Sequence, residues 1–305
     1  MGDFKLFRIG DVHVKEIENR SVVIEKSLQT LIEHNLLEMF AIRLIKSEAA
    51  LGDGENDHID TLGVDENNLP VMISYKRSTN DNAINRGIYL LDWFSGNRDE
   101  CETLITDRLG KQVADSIEWA QPRLICIAGD YNKYDLHLVE RMNHNIDLIR
   151  LRQFDIGFLM IELIKYSNMA MPISLEKQNI IGRSDTAGTS VASCLQKAEA
   201  PLIDLFQSLS YYLLALGDDV QRITLQDYVA FKRIKNFASV VVDPEDLNLK
   251  VYIKLDIGRN GLLKNISKAV KDTDHAGTGN VEITLATMEE LETAKPLIVS
   301  SFETN

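Results

Sequence analysis

The chain has 305 residues and a formal net charge of −13, and 45% of its residues are hydrophobic and 26% charged. These values exclude a disordered chain, and the length suits one large domain or two ordinary ones. An acidic chain does not bind nucleic acid through its overall charge, so any such contact must be local. The three cysteines form no Cys-x-x-Cys pair, which excludes an evident disulfide framework or zinc site.

No apolar run approaches the roughly 20 residues that a membrane-spanning helix needs. The first residues also lack the basic start and apolar core of a signal peptide. We therefore expect no membrane partner and a cytoplasmic location.

The first half of the chain predicts a mixed sheet with helices on its faces, and we assign residues 1–166 to this domain. Short strands are expected at 4–9 and 12–18, and a helix from its N-cap Ser21 to about Met39. The elements that follow are strands near 41–46, 58–64 and 70–77, a helical region over 82–120, a buried strand at 123–128, a helix at 135–143 and strands at 146–152 and 158–163.

Residues 167–197 are rich in polar residues, Gly and Pro and show little periodicity, which predicts a linker. Residues 198–305 predict a small α+β domain. Its expected elements are a helix at 198–216, a short helical piece near Asp227, a hairpin of 238–242 and 250–255, a strand at 281–285 and a helix from about 288 with Thr287 or Thr284 near its start. The predicted fold class is therefore α/β, with a mixed α+β sheet in the first of two domains.

Asp60 and Lys76 lie on two successive predicted strands joined by a polar turn at 65–68. Such a hairpin places a carboxylate and an ammonium group together at one edge of the sheet. A hard cation such as Mg²⁺ or Mn²⁺ takes carboxylate oxygens as ligands and acidifies bound water, and a nearby lysine stabilises the developing charge. We therefore interpret Asp60 as a metal ligand and Lys76 as a catalytic residue of phosphodiester hydrolysis.

A third contributor is expected from the preceding helix, where either Glu25 or Glu33 can point towards the site. Glu25 is preferred as metal ligand and catalytic residue, because it precedes the apolar face that docks the helix. Lys76, Arg77 and Arg86 surround the proposed site and are the candidate contacts to nucleic acid. Each residue taken singly also fits an ordinary surface, for example as an edge-strand lysine that blocks aggregation.

Three segments, residues 24–36, 58–63 and 73–80, resemble the PD-(D/E)XK nuclease superfamily and within it the NucS-type endonucleases. The similarity continues through 89–93 and 122–130 and so covers about the first half of the chain. The resemblance implies a restriction-endonuclease-like fold and Mg²⁺- or Mn²⁺-dependent DNA cleavage, with Asp60 as metal ligand, Lys76 as catalytic lysine and Glu25 as the helix glutamate. It also implies a homodimer, since many of these enzymes cut as pairs. The C-terminal part resembles a domain of unknown function that often follows this module.

Two positions depart from the nuclease pattern. The second metal-binding acid falls on Ser74, and a glutamine of the following helix falls near Arg86. Losing a carboxylate lowers the expected affinity for Mg²⁺ unless Asp57, Asp65 or Asp92 replaces it, while Arg86 favours binding a phosphate without a metal. Three functions therefore stay open: a DNA endonuclease with a rearranged site, a non-catalytic nucleic-acid-binding module, and a protein-interaction scaffold.

Overall fold

The computed structural model describes residues 5–20, 24–50, 58–77, 82–154, 157–167, 190–271 and 275–305, with side chains at all but 19, 20 and 50. The chain divides into two compact units, residues 1–169 and 170–305. Both combine helices with a β-sheet, which confirms the predicted α/β class. No helix in the described part of the chain is long and apolar enough to span a bilayer.

The described residues of the first unit form a β1–β2 hairpin and a seven-stranded sheet in the order β3-β8-β7-β6-β5-β4, with β9 paired to β8. The elements are β1 (Leu6–Ile9), β2 (Val14–Ile17), β3 (Asn19–Arg20), α1 (Lys26–His34), α2 (Leu36–Phe40), β4 (Ile42–Ala50), β5 (His58–Asp65), β6 (Pro70–Lys76), α3 (Ala83–Gly96), α4 (Arg98–Leu109), α5 (Lys111–Asp115), β7 (Arg123–Ala128), α6 (Lys133–Arg141), β8 (Asn145–Phe154) and β9 (Phe158–Ser167).

The turn between β5 and β6 sets the geometry of the sheet edge. Asp65 Oδ1 accepts hydrogen bonds from the backbone N–H groups of Asn67 at 2.8 Å and Leu69 at 3.0 Å, and Asn68 takes a positive φ of 57°. Such side-chain-to-backbone bonds are the reason that Asp and Asn favour turns. The predicted hairpin is confirmed, and it brings the start of β5 beside the end of β6.

Strands β6, β7 and β8 run parallel, whereas β4, β5 and β6 are antiparallel. All residues of β6 and β7 are buried, as expected for strands covered on both faces. Helix α3 approaches this sheet closely at Gly87, where a Cβ would lie 2.6 Å from Leu124 Cδ2. The absence of a side chain at Gly87 therefore lets the first turn of α3 lie against the sheet.

The described part of the second unit contains a six-stranded antiparallel sheet in the order β10-β11-β12-β13-β15-β14. Its elements are α7 (Val191–Lys197), α8 (Ala200–Leu214), β10 (Gln221–Thr224), β11 (Val229–Lys232), β12 (Asn236–Asp243), β13 (Asn248–Ile253), α9 (Ile257–Asn260), β14 (Ser267–Ala269), β15 (Val281–Leu285) and α10 (Met288–Thr304). The apolar faces of α7, α8 and α10 pack with the strands into one core.

The structure corrects three element predictions. The first helix begins at Lys26 with Glu25 in the N-cap position, while the predicted N-cap Ser21 lies outside the described residues. The region around Asp227 is the turn of the β10–β11 hairpin and not a helix, because Gln221–Thr224 pairs with Val229–Lys232.

The predicted linker at 167–197 is also too long at its C-terminal end. Residues Val191–Lys197 form α7, capped by the Ser190 side chain, and Val191 and Leu195 lie in the core of the second unit. Two apolar residues four positions apart are enough to bury one face of a two-turn helix, although the polar composition around them is typical of a linker.

Candidate functional site

Asp60, Ser74 and Arg86 come together at the edge where β5 begins and β6 ends. Arg86 Nη2 donates to Asp60 Oδ2 at 3.0 Å and to Ser74 Oγ at 3.2 Å. Asp60 is only 2% exposed, and its Oδ2 also accepts a hydrogen bond from the Tyr75 backbone N–H at 3.0 Å. The Arg86 side chain is 42% exposed, so the guanidinium covers the buried carboxylate and faces solvent. We call these three residues, together with Arg77, the sheet-edge site.

Helix α3 holds Arg86 in this position. The helix starts at Ala83, whose carbonyl accepts a hydrogen bond from Ser74 Oγ at 3.3 Å, and it lies against the sheet at Gly87. Arg86 immediately precedes Gly87, so the close approach of α3 to the sheet carries its side chain over β6. The expected neighbourhood of Asp60, Ser74 and Arg86 is thus present in the structure.

Lys76 lies at the same edge but pairs with a different acid. Its Nζ donates to Asp135 Oδ2 at 2.6 Å and lies 5.8 Å from the centroid of the Tyr131 ring, and the side chain is only 3% exposed. Asp135 also belongs to the capping box of α6, where the same oxygen accepts from the Asn132 N–H at 2.9 Å. Lys76 is therefore a buried cation with a fixed carboxylate partner, whereas the hairpin alone predicts Asp60 as its neighbour.

Of the two glutamates considered, Glu33 is buried against the sheet and the preferred Glu25 is not, and the role assigned to Glu25 stays a prediction. Glu25 is exposed at the N-cap of α1. Glu33 is 8% exposed, and its carboxylate accepts hydrogen bonds from Thr61 Oγ1 at 2.6 Å, Ser47 Oγ at 2.8 Å and Gln29 Nε2 at 3.0 Å. Gln29 and Glu33 share the buried face of α1 with Ile32, whereas Leu31 is 52% exposed.

Gln29 links Glu33 to the sheet-edge site. Its Nε2 lies 3.5 Å from the Asp60 carbonyl oxygen, and its Oε1 accepts a hydrogen bond from Arg77 Nη2 at 3.3 Å. Gln29 and Glu33 are four residues apart on the helix, a spacing that places two side chains on one face. That spacing is the signal in the sequence that could have identified this pair.

Positive groups also gather at the exposed rim of the edge. The pKa of Glu48 is lowered, first through its ion pair with Lys26 and further by the nearby His58 and Arg77. His58 Nε2 lies 3.5 Å from Asp60 Oδ1. The rim of the sheet-edge site therefore combines several cationic groups with one exposed glutamate, within a chain whose net charge is −13.

The two described candidates for a replacement acid lie elsewhere. Asp65 is at the far end of β5, where it forms a buried ion cluster with Arg123 and Asp147. Burial lowers the pKa of Arg123, but Asp147 and Asp65 outweigh this effect, so the pKa is raised overall. Asp92 lies near His144 on the exposed side of α3, and Asp57 is outside the described residues.

The residues at this edge do not fit a divalent cation as they are arranged. No cluster of three or more His, Cys, Asp or Glu side chains suited to a metal ion occurs within the described residues. Asp60 presents one carboxylate, Ser74 contributes a neutral hydroxyl, and the Glu33 carboxylate is engaged by three donors. Arg86 already supplies a positive charge to Asp60, so a cation would first have to displace it.

The comparisons with known proteins identify similar sequences, and none of these has an assigned activity. Residues 191–305 match a family described as a domain of unknown function (DUF5655). The chain is also 26% identical over 303 residues to an uncharacterised protein of Haemophilus influenzae, an alignment that covers 96% of this chain and 98% of that protein. No solved structure matches the chain. The domain match starts at the first residue of α7, and the nuclease resemblance of the first half stays a prediction.

Proposed function

We propose that the first unit is a nuclease-derived module that binds nucleic acid through its phosphates and does not cleave it. The observation that carries the proposal is the contact of Arg86 with both Asp60 and Ser74. A cationic side chain thus occupies the place that the nuclease resemblance assigns to a metal ion. We infer a restriction-endonuclease-like fold for this unit, supported by the antiparallel β4–β5–β6 strands that follow α1.

Arg86 is suited to hold a phosphate. A guanidinium presents five N–H donors, and a single nitrogen, Nη2, makes both contacts to Asp60 and Ser74. The remaining donors lie on a half-exposed side chain, with Arg77 exposed at the same edge. Planar donor pairs of this kind match the oxygens of a phosphate. The buried Asp60 carboxylate fixes the orientation of the guanidinium before a ligand arrives.

The acidic chain limits the strength of this binding. With two arginines facing phosphates, the logarithm of the affinity is expected to fall with the logarithm of the salt concentration with a slope of about −2. This slope is much smaller than that of proteins that bind nucleic acid through a broad basic surface. The expected interaction is therefore local and modest, and it requires no divalent metal.

The test is fluorescence anisotropy of labelled single-stranded and duplex DNA with the full chain, in EDTA and in Mg²⁺ or Mn²⁺. We expect binding in EDTA that Mg²⁺ or Mn²⁺ does not strengthen. For Arg86→Gln we expect a loss of about tenfold, since one charge-assisted contact is worth up to about 1.5–3 kcal/mol. Arg108→Gln, at an exposed arginine of α4, is the matched control and is expected to bind as the parent does.

The same samples, run on denaturing gels, decide between this proposal and the two alternatives. Cleavage that needs Mg²⁺ or Mn²⁺ and that disappears in Asp60→Asn makes the protein a metal-dependent endonuclease and overturns the proposal. The absence of binding even at low salt favours an interaction scaffold. Binding without cleavage that depends on Arg86 supports the nucleic-acid-binding module.

A further inference from the structure

A cavity of about 120 Å³ lies within the second unit, between α7, α8 and β10. Its apolar wall comes from Leu195, Ile203, Phe206 and Leu214. Leu195 and Phe206 belong to the core of the unit, so the inner end of the cavity is built into that core. An engineered cavity of about 150 Å³ in another protein takes up benzene, which shows that a space of this order can hold a small ring.

The residues with polar groups that line the same cavity are Gln207, Ser210, Tyr211 and Arg222. Ser210 is only 6% exposed, and its Oγ is buried with no hydrogen-bond partner in the described part of the chain. Ser210 therefore belongs to the inner wall of the cavity, and its oxygen is not accessible from the cavity. Gln207 lies one turn before Ser210 on α8, and Arg222 faces the cavity from the edge strand β10.

The positive charge at the cavity belongs to Arg222. Arg222 forms no ion pair with any residue that the structure describes, and none of the described lining residues is Asp or Glu. Arg233 of the same unit, by contrast, pairs with Asp219 at 2.7 Å. Arg222 and Gln207 bring N–H donors to the lining of the cavity.

We propose that this cavity is a binding site for a small carboxylate with a compact apolar group, about the size of one benzene ring. The apolar group would contact Leu195, Ile203, Phe206 and Leu214, as in ligand sites that are mainly apolar with a few placed polar groups. The carboxylate would accept hydrogen bonds from the guanidinium of Arg222. The site lies wholly in the unit that matches the domain of unknown function, and it does not depend on the function proposed for the first unit.

The test is an NMR titration of the ¹⁵N-labelled full chain with benzoate, and with benzyl alcohol as the neutral probe of the same ring. We expect saturable shifts of the amide signals of α8 and of Arg222 with benzoate, with a Kd on the order of 1 mM, because so few ligand atoms make contact. Benzyl alcohol is expected to bind about tenfold more weakly, since it lacks the charge that Arg222 pairs with.

Arg222→Gln separates the charge from the cavity. The variant is expected to lose about tenfold in affinity for benzoate and to bind benzyl alcohol as the parent does. Arg259→Gln, at an exposed arginine of α9, is the matched control and is expected to leave both affinities unchanged. Should Arg222→Gln fail to fold, Arg222→Lys keeps the charge and loses the paired donors, and a selective loss of benzoate affinity is then expected.

Two results overturn the proposal. One is the absence of saturable benzoate shifts in α8 of the parent chain. The other is equal benzoate affinity of the parent and of a folded Arg222 variant, because benzoate would then bind without the guanidinium.

Discussion

At the scale of single residues, the chemistry of the sheet edge depends on which acid each cationic side chain pairs with. The nuclease pattern predicts that Asp60, as metal ligand, and Lys76, as catalytic lysine, belong to one site. In the structure Arg86 neutralises Asp60, and Asp135 neutralises Lys76. Each ion is therefore held by a partner within the protein, and only the Arg86 side chain extends to solvent. An external phosphate would therefore contact the Arg86 guanidinium before it reached Asp60 or Lys76.

The Lys76–Asp135 pair is expected to contribute strongly to stability. Lys76→Met leaves the Asp135 carboxylate without its cation in a largely buried position, which costs about 3 kcal/mol in the free energy of unfolding. The measurement is urea unfolding followed by tryptophan fluorescence. Both tryptophans, Trp93 and Trp119, lie in the first unit and therefore report on it.

Lys165→Met provides the matched control, because Lys165 forms a more exposed pair with Glu140 in the same unit. Loss of such an exposed pair is expected to cost much less than loss of the buried pair, because solvent screens the two charges. Equal losses for the two variants would contradict a special role for burial of the Lys76–Asp135 pair.

At the scale of elements, the sequence predicted the strands better than the helices. Residues 123–128 and 281–285 appear as strands with the predicted bounds, because each is a short apolar run between turn residues. The start of α1 and the existence of α7 were missed, since both depend on which few apolar residues find partners in the folded unit. The hairpin around Asp227 was missed because four-residue strands give too little alternation to identify.

The candidate site was predictable only in part. The hairpin and the spacing placed Asp60, Ser74 and Arg86 together, and the structure agrees. The partner of Lys76 was not predictable, because Asp135 comes from a helix that follows another strand of the sheet. Glu33 was weighed and set aside, since one turn of error in the start of a helix changes which residues face the sheet.

Helix α3 offers a test of how closely an element must approach the sheet. At Gly87 a Cβ would lie 2.6 Å from Leu124, whereas at Gly96 of the same helix no atom lies within 4 Å. Gly87→Val is expected to destabilise the first unit by about 1–3 kcal/mol through overpacking. It should also weaken any contact that needs Arg86, because α3 must move outwards.

Gly96→Ala is the matched control and is expected to be neutral or to stabilise by up to about 1 kcal/mol, since alanine favours the helix more than glycine does. Urea unfolding of both variants measures the difference. A Gly87→Val protein as stable as the parent would show that α3 tolerates a larger separation from β7.

The β12–β13 hairpin is expected to respond to acid. The pKa of Asp243 is lowered, mainly by the hydrogen bond that Lys250 Nζ donates at 2.7 Å. A carboxyl group whose pKa is lowered in the folded state stabilises the fold above its ordinary pKa of 3.8, and this stabilisation disappears as the pH falls through the folded pKa. The hairpin is therefore expected to lose protection below about pH 4.

Hydrogen exchange measures this loss at the β12 and β13 amides. It is read by mass spectrometry for the parent and the variant at the same pH values. Lys250→Met removes the donor and is expected to reduce the difference in protection between about pH 5 and pH 3. An unchanged difference in the variant would show that other carboxylates cause the response.

At the scale of the whole molecule, the three cysteines report on the two units separately. Cys101 and Cys126 are buried in the first unit, and burial raises the pKa of Cys101 to about 12 and that of Cys126 further. Cys194 is half-buried in α7 of the second unit. Because the thiolate is the reactive form, iodoacetamide is expected to label Cys194 first in the native protein.

Peptide mapping after timed labelling in increasing urea measures this order. Labelling of Cys101 and Cys126 is expected to rise together with the change in tryptophan fluorescence, since all of these probes lie in the first unit. Early labelling of Cys126 in the native protein would contradict its burial in β7.

A homodimer and a cytoplasmic location stay predictions.

The order in which the strands pair has a consequence for the kinetics of folding. In the first unit Val71 pairs with Arg123 and Asn19 with Phe154, so its sheet cannot close until widely separated segments have met. In the second unit β10 to β13 pair in succession as hairpins. Loop closure over long segments slows folding, so the second unit is expected to reach its native pairing sooner on refolding. During synthesis on a ribosome, the first unit, which is expected to fold slowly, would emerge before the second unit, which is expected to fold fast.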